Sequence, residues 1–199
     1  MNRRNLLKFA GGALLNGALV AGGTAALLRP AGAAGPVAPA ASPAAAAPAP
    51  VREARLLSFV NTHTGDTFAD AYWEAGDYVP DAMAAINHVM RDHRSGEGYP
   101  IDPRLLDQLH QLRLNVEASA PYQIISGYRS PATNAALAAH SNGVATRSLH
   151  MQGRAIDIRI GGIDLARLRD AAIAMQAGGV GYYAGPNFIH VDTGRVRRW

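Results

Sequence analysis

Residues Arg154–Ile160 alternate strictly along the chain. Ile156, Ile158 and Ile160 fall on one side of an extended backbone, and Ala155, Asp157 and Arg159 on the other. Residues Phe188–Asp192 alternate in the same way, with Ile189 and Val191 opposite Phe188, His190 and Asp192. A strand with this pattern must bury its aliphatic face, since a slip of one residue would expose every isoleucine. The polar groups are then fixed on the other face. His150 lies seven residues before Asp157, with a Gln152-Gly153 turn between them. Imidazole, carboxylate and imidazole from His150, Asp157 and His190 form a ligand set suited to catalytic zinc, which keeps three protein ligands and one open position. The small Ala155 beside Asp157 leaves space for an ion.

The chain has 199 residues and no cysteine. Disulfides, cysteine nucleophiles and cysteine-bound zinc are therefore excluded. The formal charge is +4, but Arg3, Arg4, Lys8 and Arg29 all precede residue 30, where no acid occurs. The rest holds 15 basic and 15 acidic residues, so no basic footprint for nucleic acid is present.

Residues 1–33 read as an export signal. Arg3-Arg4 opens a short polar start, a Gly/Ala-rich apolar run follows to Leu28, and Ala31-Gly32-Ala33 offers a cleavage site before Ala34. This resembles a twin-arginine signal, which predicts recognition by the twin-arginine export machinery and a periplasmic or cell-envelope location. The alternative is an uncleaved N-terminal membrane anchor. With cleavage, no stable membrane span remains. Residues 34–50 are nearly all Ala and Pro and read as a solvated spacer. Residues 51–199 form one domain, about the length that sustains its own core.

Within the domain, Arg55–Thr62 and Thr67–Trp73 suggest a hairpin about Thr64-Gly65-Asp66. Pro80 begins one amphipathic helix, and Asp102-Pro103 opens a second with a stripe of Leu105, Leu106, Leu109, Leu112 and Val116. Ser130-Pro131 starts a third helix, closed near Gly143, and Asp164 caps a fourth. His63, His88, His93 and His110 belong to no compact ligand set and read as turn, helix-end or polar-face residues. Tyr122–Ile125 is a strand running into Ser126–Pro131, a loop suited to functional residues. Its Arg129 is suited to binding a carboxylate through two parallel hydrogen bonds. The run Gly178–Tyr183 lacks the Lys-Ser/Thr ending of a phosphate loop; it reads as a strand that another backbone or a peptide substrate approaches closely. Asp192 shares the face of His190, about 6.5–7 Å along the strand. That spacing is too far for contact, but near enough to take a proton from a water at the metal.

Ser148-x-His150-x-x-Gly153-x-Ala155-x-Asp157 and His190-x-Asp192 together resemble zinc peptidases of the M15 type, which cut peptidoglycan peptides or D-Ala-D-Ala. The resemblance is closest to the periplasmic murein endopeptidases once called a domain of unknown function. It is carried further by Asn61–Gly65, Ser126–Ser130 and Gly178–Tyr183 and covers roughly residues 55–199. It implies an α+β fold with a small central antiparallel sheet and flanking helices, of the Hedgehog/D-Ala-D-Ala-peptidase kind. It implies one Zn2+ held by His150, Asp157 and His190, with Arg129 on a substrate carboxylate and at the oxyanion. Ser148 and Tyr128 are expected beside the substrate. Several relatives place Glu or Asp three residues before the last zinc-binding His as general base; here Asn187 stands there and cannot take a proton, so Asp192 is expected to act instead. The implied function is hydrolysis of peptide cross-links in peptidoglycan during wall growth. Two other readings are a D,D-carboxypeptidase trimming terminal D-Ala and a peptidoglycan-binding module without catalysis.

Overall fold

The computed structural model describes residues 53–140 and 144–199. The expected signal (1–33), the spacer (34–50) and the Gly143 helix cap lie outside them. No described helix is long and apolar enough to cross a membrane. The strands are β1 (Ala54–Asn61), β2 (Thr67–Glu74), β3 (Asp77–Tyr78), β4 (Tyr122–Ser126), β5 (Ala155–Ile160), β6 (Gly179–Tyr183), β7 (Phe188–Asp192) and β8 (Arg197–Arg198). The helices are α1 (Pro80–Val89), α2 (Pro103–Asn115), α3 (Pro131–His140) and α4 (Leu165–Ala174), with a short 3-10 turn at Leu149–Gln152. The mixed α and β content agrees with the sequence reading, and the central pairs β4/β5, β5/β7 and β6/β7 are antiparallel as expected, but the sheet is larger than the small one expected. The eight strands form one sheet in the order β3-β2-β1-β4-β5-β7-β6-β8. Its β1/β4 and β6/β8 pairs are parallel.

One face of the sheet is the core. Leu57, Phe59, Ile124, Ile156, Ile158, Val180, Ile189 and Val191 are buried with Ile86, Leu105, Leu106, Leu109, Leu112 and Leu168 from the helices. Each such side chain contributes about 1.5–3 kcal/mol by leaving water, so the aliphatic face sets the register and the opposite face takes what remains. The helix starts follow their caps. Asp102 accepts from the Arg104 N–H at 3.0 Å, and Asp164 from the Arg167 N–H at 3.0 Å. The Asn61–Gly65 segment is a turn device. Asn61 Oδ1 accepts from the N–H groups of His63 and Thr64 at 2.9 and 3.2 Å, and its amide donates to the Val89 carbonyl at 2.9 Å. His63 stacks on His93 with ring centroids 3.8 Å apart.

Asp92 joins the segment after α1 to the loop after β4. It is buried, and its carboxylate accepts from the N–H groups of Ser130 and Arg94, each at 2.9 Å. Burial opposes its ionisation, but bonds from Thr133, Ser130 and Arg94 outweigh that and hold its carboxyl well below the usual range. A carboxyl depressed in the folded state adds stability above its unfolded value, about 3.9, and that stability fades as pH falls further. Asp92→Asn, which sets an amide against N–H donors, is expected to cost about 1–3 kcal/mol at pH 7. Urea unfolding should show the gap to wild type shrinking below about pH 4.

Candidate metal centre

The sheet register assembles the site. Ser126 on β4 pairs with Asp157 on β5, Asp157 with His190 on β7, and His190 with Gly181 on β6. These four positions form one row across four strands. His150 comes to the row from the 3-10 turn. Ser148 caps that turn by accepting from the His150 N–H at 3.3 Å, and Gly153 closes it at φ 63°.

His150 Nε2, Asp157 Oδ1 and His190 Nδ1 converge, with separations of 3.3 Å (His150–Asp157), 2.9 Å (Asp157–His190) and 3.2 Å (His150–His190). All three residues are buried. The outward nitrogens fix the tautomers. His150 Nδ1 faces the Gly127 carbonyl at 2.7 Å and must carry a hydrogen to bond it. His190 Nε2 faces the ionised Asp192 Oδ2 at 2.8 Å and carries one for the same reason. With neutral rings, the inward atoms are then three acceptors with no donor among them. Ligands at about 2.0–2.1 Å in a tetrahedral array stand roughly 3.3 Å apart. The triangle therefore fits a single divalent ion, and each imidazole is held from outside by the kind of partner that orients metal-binding histidines. Burial opposes the Asp157 charge; when the two rings carry protons, as they can without metal, His150 and His190 outweigh it and hold the carboxyl well below its usual range.

Gly127 is required where it stands. A Cβ there would collide with the Met90 carbonyl, which accepts from the Tyr128 N–H at 2.7 Å. The loop is thereby pressed onto the end of α1 with the Gly127 carbonyl aimed at His150. The same turn carries Tyr128 away from the site. Its ring is buried against Tyr99 at 4.9 Å and does not line the cleft, contrary to the expected substrate contact. Arg129 does line it. Its side chain is 12% exposed and lies 3.6 Å from Asp157 Oδ2. It reaches Asn134 Oδ1 at 3.4 Å and Ser126 Oγ at 3.3 Å, and its Nε has no partner. These bonds are long for a guanidinium, so donor capacity remains.

The expected gap between Asp192 and His190 is corrected. Residues i and i+2 stand far apart along the backbone, yet the long imidazole leans along the strand and closes the distance to 2.8 Å. Asp192 is 0% exposed. Its Oδ1 accepts from Gly179 N–H, Gly194 N–H and Arg197 Nη1 at 3.0, 2.8 and 3.1 Å, and Oδ2 also accepts from Arg197 Nη2 at 2.7 Å. Burial opposes its charge, but His190 and Arg197 outweigh that and keep it ionised. No oxygen of Asp192 is open to the cleft, and it does not line it. Asn187 does not line the cleft either. It sits in the turn before β7 at φ 57°, a conformation Asn tolerates well.

A cleft of about 470 Å³ opens over the triangle. Arg129, Arg147, Ser148, Tyr183, Phe188 and Trp199 are among the residues around it. Asp157 is the only carboxylate side chain among the described lining residues, against the guanidinium groups of Arg129, Arg147 and Arg197, so the cleft favours anionic ligands. Sequence reasoning gave no role to Arg197 or Trp199, and left the glycine run to an incoming backbone or substrate. The signal for them was that run. A Cβ at Gly179 would strike Arg197 and Asp192, one at Gly181 would stand 2.7 Å from the Trp199 ring, and one at Gly178 would meet the Asp192 carbonyl. The glycines admit the chain's own later residues.

Residues 49–199 match the family model described as Peptidase_M15_2, peptidoglycan L,D-endopeptidase MepK. The peptidoglycan L,D-endopeptidase MepK of Escherichia coli (strain K12) is 45% identical over 145 residues, covering 73% of this chain and 80% of that protein. The protein of the same name from Shigella flexneri matches equally. The probable peptidoglycan L,D-endopeptidase MepK of Haemophilus influenzae is 39% identical over 146 residues, covering 73% of this chain and 78% of that protein. With the model matching most of its length and relatives this similar, the chain belongs to the M15 peptidase family.

Proposed function

We propose that this chain is a zinc-dependent endopeptidase hydrolysing peptide cross-links in peptidoglycan. The observation that carries the reading is the convergence of His150 Nε2, Asp157 Oδ1 and His190 Nδ1 beneath an open, cationic cleft. Membership of the M15 family and the names of the relatives support the substrate class. Two imidazoles and one carboxylate suit zinc better than harder, oxygen-preferring cations. When bound there, zinc activates a water molecule and polarises the scissile carbonyl.

The protein's own groups position the ligands and the substrate. Asp192 acts as a positioning residue, holding the His190 proton on Nε2 so that Nδ1 faces the metal, and is not the proton acceptor. The Gly127 carbonyl does the same for His150. Arg129 holds a substrate carboxylate and supports developing negative charge on the carbonyl oxygen. Ser148 fixes the turn that presents His150. A cleft open to solvent supports cutting within a cross-link over trimming a terminal residue. The fold is read as related to the Hedgehog and D-Ala-D-Ala peptidases. Residues 1–33 are proposed to direct twin-arginine export to the periplasm and 34–50 to form a spacer; the family match beginning at residue 49 supports that division.

Digestion of cross-linked muropeptides should convert dimers to monomers, and chelator or His190→Ala should abolish this. Release of D-Ala alone would instead identify a carboxypeptidase. Asp192→Asn should lower zinc affinity about 10–100-fold in a competition titration, and unchanged affinity would remove its positioning role. Arg129→Lys keeps the charge but loses the planar fork, and is expected to lower kcat/KM by about tenfold or more on muropeptides.

A further inference from the structure

Trp199 is 51% exposed, yet the fold holds it on several sides. Its N–H donates to the Val180 carbonyl at 3.2 Å and its carbonyl accepts from the Tyr182 N–H at 3.0 Å, fixing its backbone along β6. Its indole Nε1 donates to the Tyr183 hydroxyl at 2.8 Å. The Arg197 guanidinium lies 4.8 Å from the ring centroid. The bare Gly181 leaves room for the ring, whose centroid lies 5.3 Å from that of His190. Tyr183 and Phe188, stacked at 4.7 Å, continue the surface. The cleft thus has an aromatic wall beside the metal centre as well as guanidinium groups from Arg129 and Arg147. A large apolar ring held rigid and half-exposed gains most when a ligand covers it.

We propose that Trp199 is a substrate-binding residue whose indole face packs on the aliphatic part of a peptide residue flanking the scissile bond. This rests on the endopeptidase reading above. Consecutive Cα atoms are 3.8 Å apart, so a group meeting a ring 5.3 Å from His190 belongs to a residue beside the reacting carbonyl. An aromatic wall offers apolar area and dispersion, which suit methylenes or methyl groups, while the guanidinium groups take carboxylates.

The chain has two tryptophans. The other, Trp73, lies on β2 under Arg55, so Trp73→Phe leaves Trp199 as sole reporter. Titrating the zinc-loaded Trp73→Phe protein with muropeptides should change Trp199 emission saturably, and a peptide-free disaccharide should not. In steady-state cleavage, Trp199→Ala should raise KM about tenfold with kcat within about threefold, and Trp199→Phe should recover most of the loss. Gly181→Ala, which displaces the ring without removing it, should reproduce the KM defect. Zinc stoichiometry and Tm of Trp199→Ala should match wild type. An unchanged KM in Trp199→Ala would overturn the proposal and leave the endopeptidase reading standing. Loss of zinc from Trp199→Ala would overturn it in favour of support for His190. An equal response to the disaccharide would move the contact to a sugar. If the wild-type protein neither cleaves nor responds to muropeptides, both readings fall.

Discussion

The hydrogen bond from His190 Nε2 to Asp192 decides what the rest of the site can be. It commits the His190 proton outward, so that Nδ1 turns inward toward Asp157 and His150. The carboxylate can do this because four donors besides His190 hold it ionised in a fully buried position, two of them from Arg197. Without those donors a buried Asp would favour its neutral form, and the imidazole would lose its fixed orientation. Rigid placement of the His190 ring therefore goes with a carboxylate that has no oxygen facing the cleft.

The same strand geometry links the glycine run to the site. Gly179 and Gly181 face Asp192 and His190 across the β6/β7 pair. Side chains at either position would fill the space where Arg197 and Trp199 lie. One short stretch thus does two jobs: it lets Arg197 reach the carboxylate that orients the His190 ring, and it lets an indole lie beside that ring. Both depend on β8 running parallel to β6, a pairing of only two residues.

Much of this was legible in the sequence because it rests on local periodicity. The isoleucines of β5 and the Ile189/Val191 pair fixed which face each strand buries, which set Asp157 and His190 on the other. The Asp102 and Asp164 caps marked their helices through the chemistry of unpaired N–H groups. What was not legible depends on contacts between distant segments or on side-chain reach. Strands of two residues carry no alternation, so β3 and β8, and with them the size of the sheet, left no trace. The parallel β1/β4 pair has no local signal. The burial of Tyr128 follows from the close approach of Gly127 to the Met90 carbonyl, which accepts from the Tyr128 N–H, a contact between the end of one helix and a distant loop. The Asp192–His190 contact was missed because strand spacing describes backbones, while an imidazole leaning along the strand spans the difference.

The outer hydrogen bonds preset which atom of each side chain faces the centre of the triangle. The most direct test is anomalous diffraction from zinc-loaded crystals. One ion is predicted within about 2.0–2.2 Å of His150 Nε2, Asp157 Oδ1 and His190 Nδ1, with the Asp192 bond to His190 Nε2 intact. An ion bound through His190 Nε2 or through Asp192, or no ion at this triangle, would contradict it.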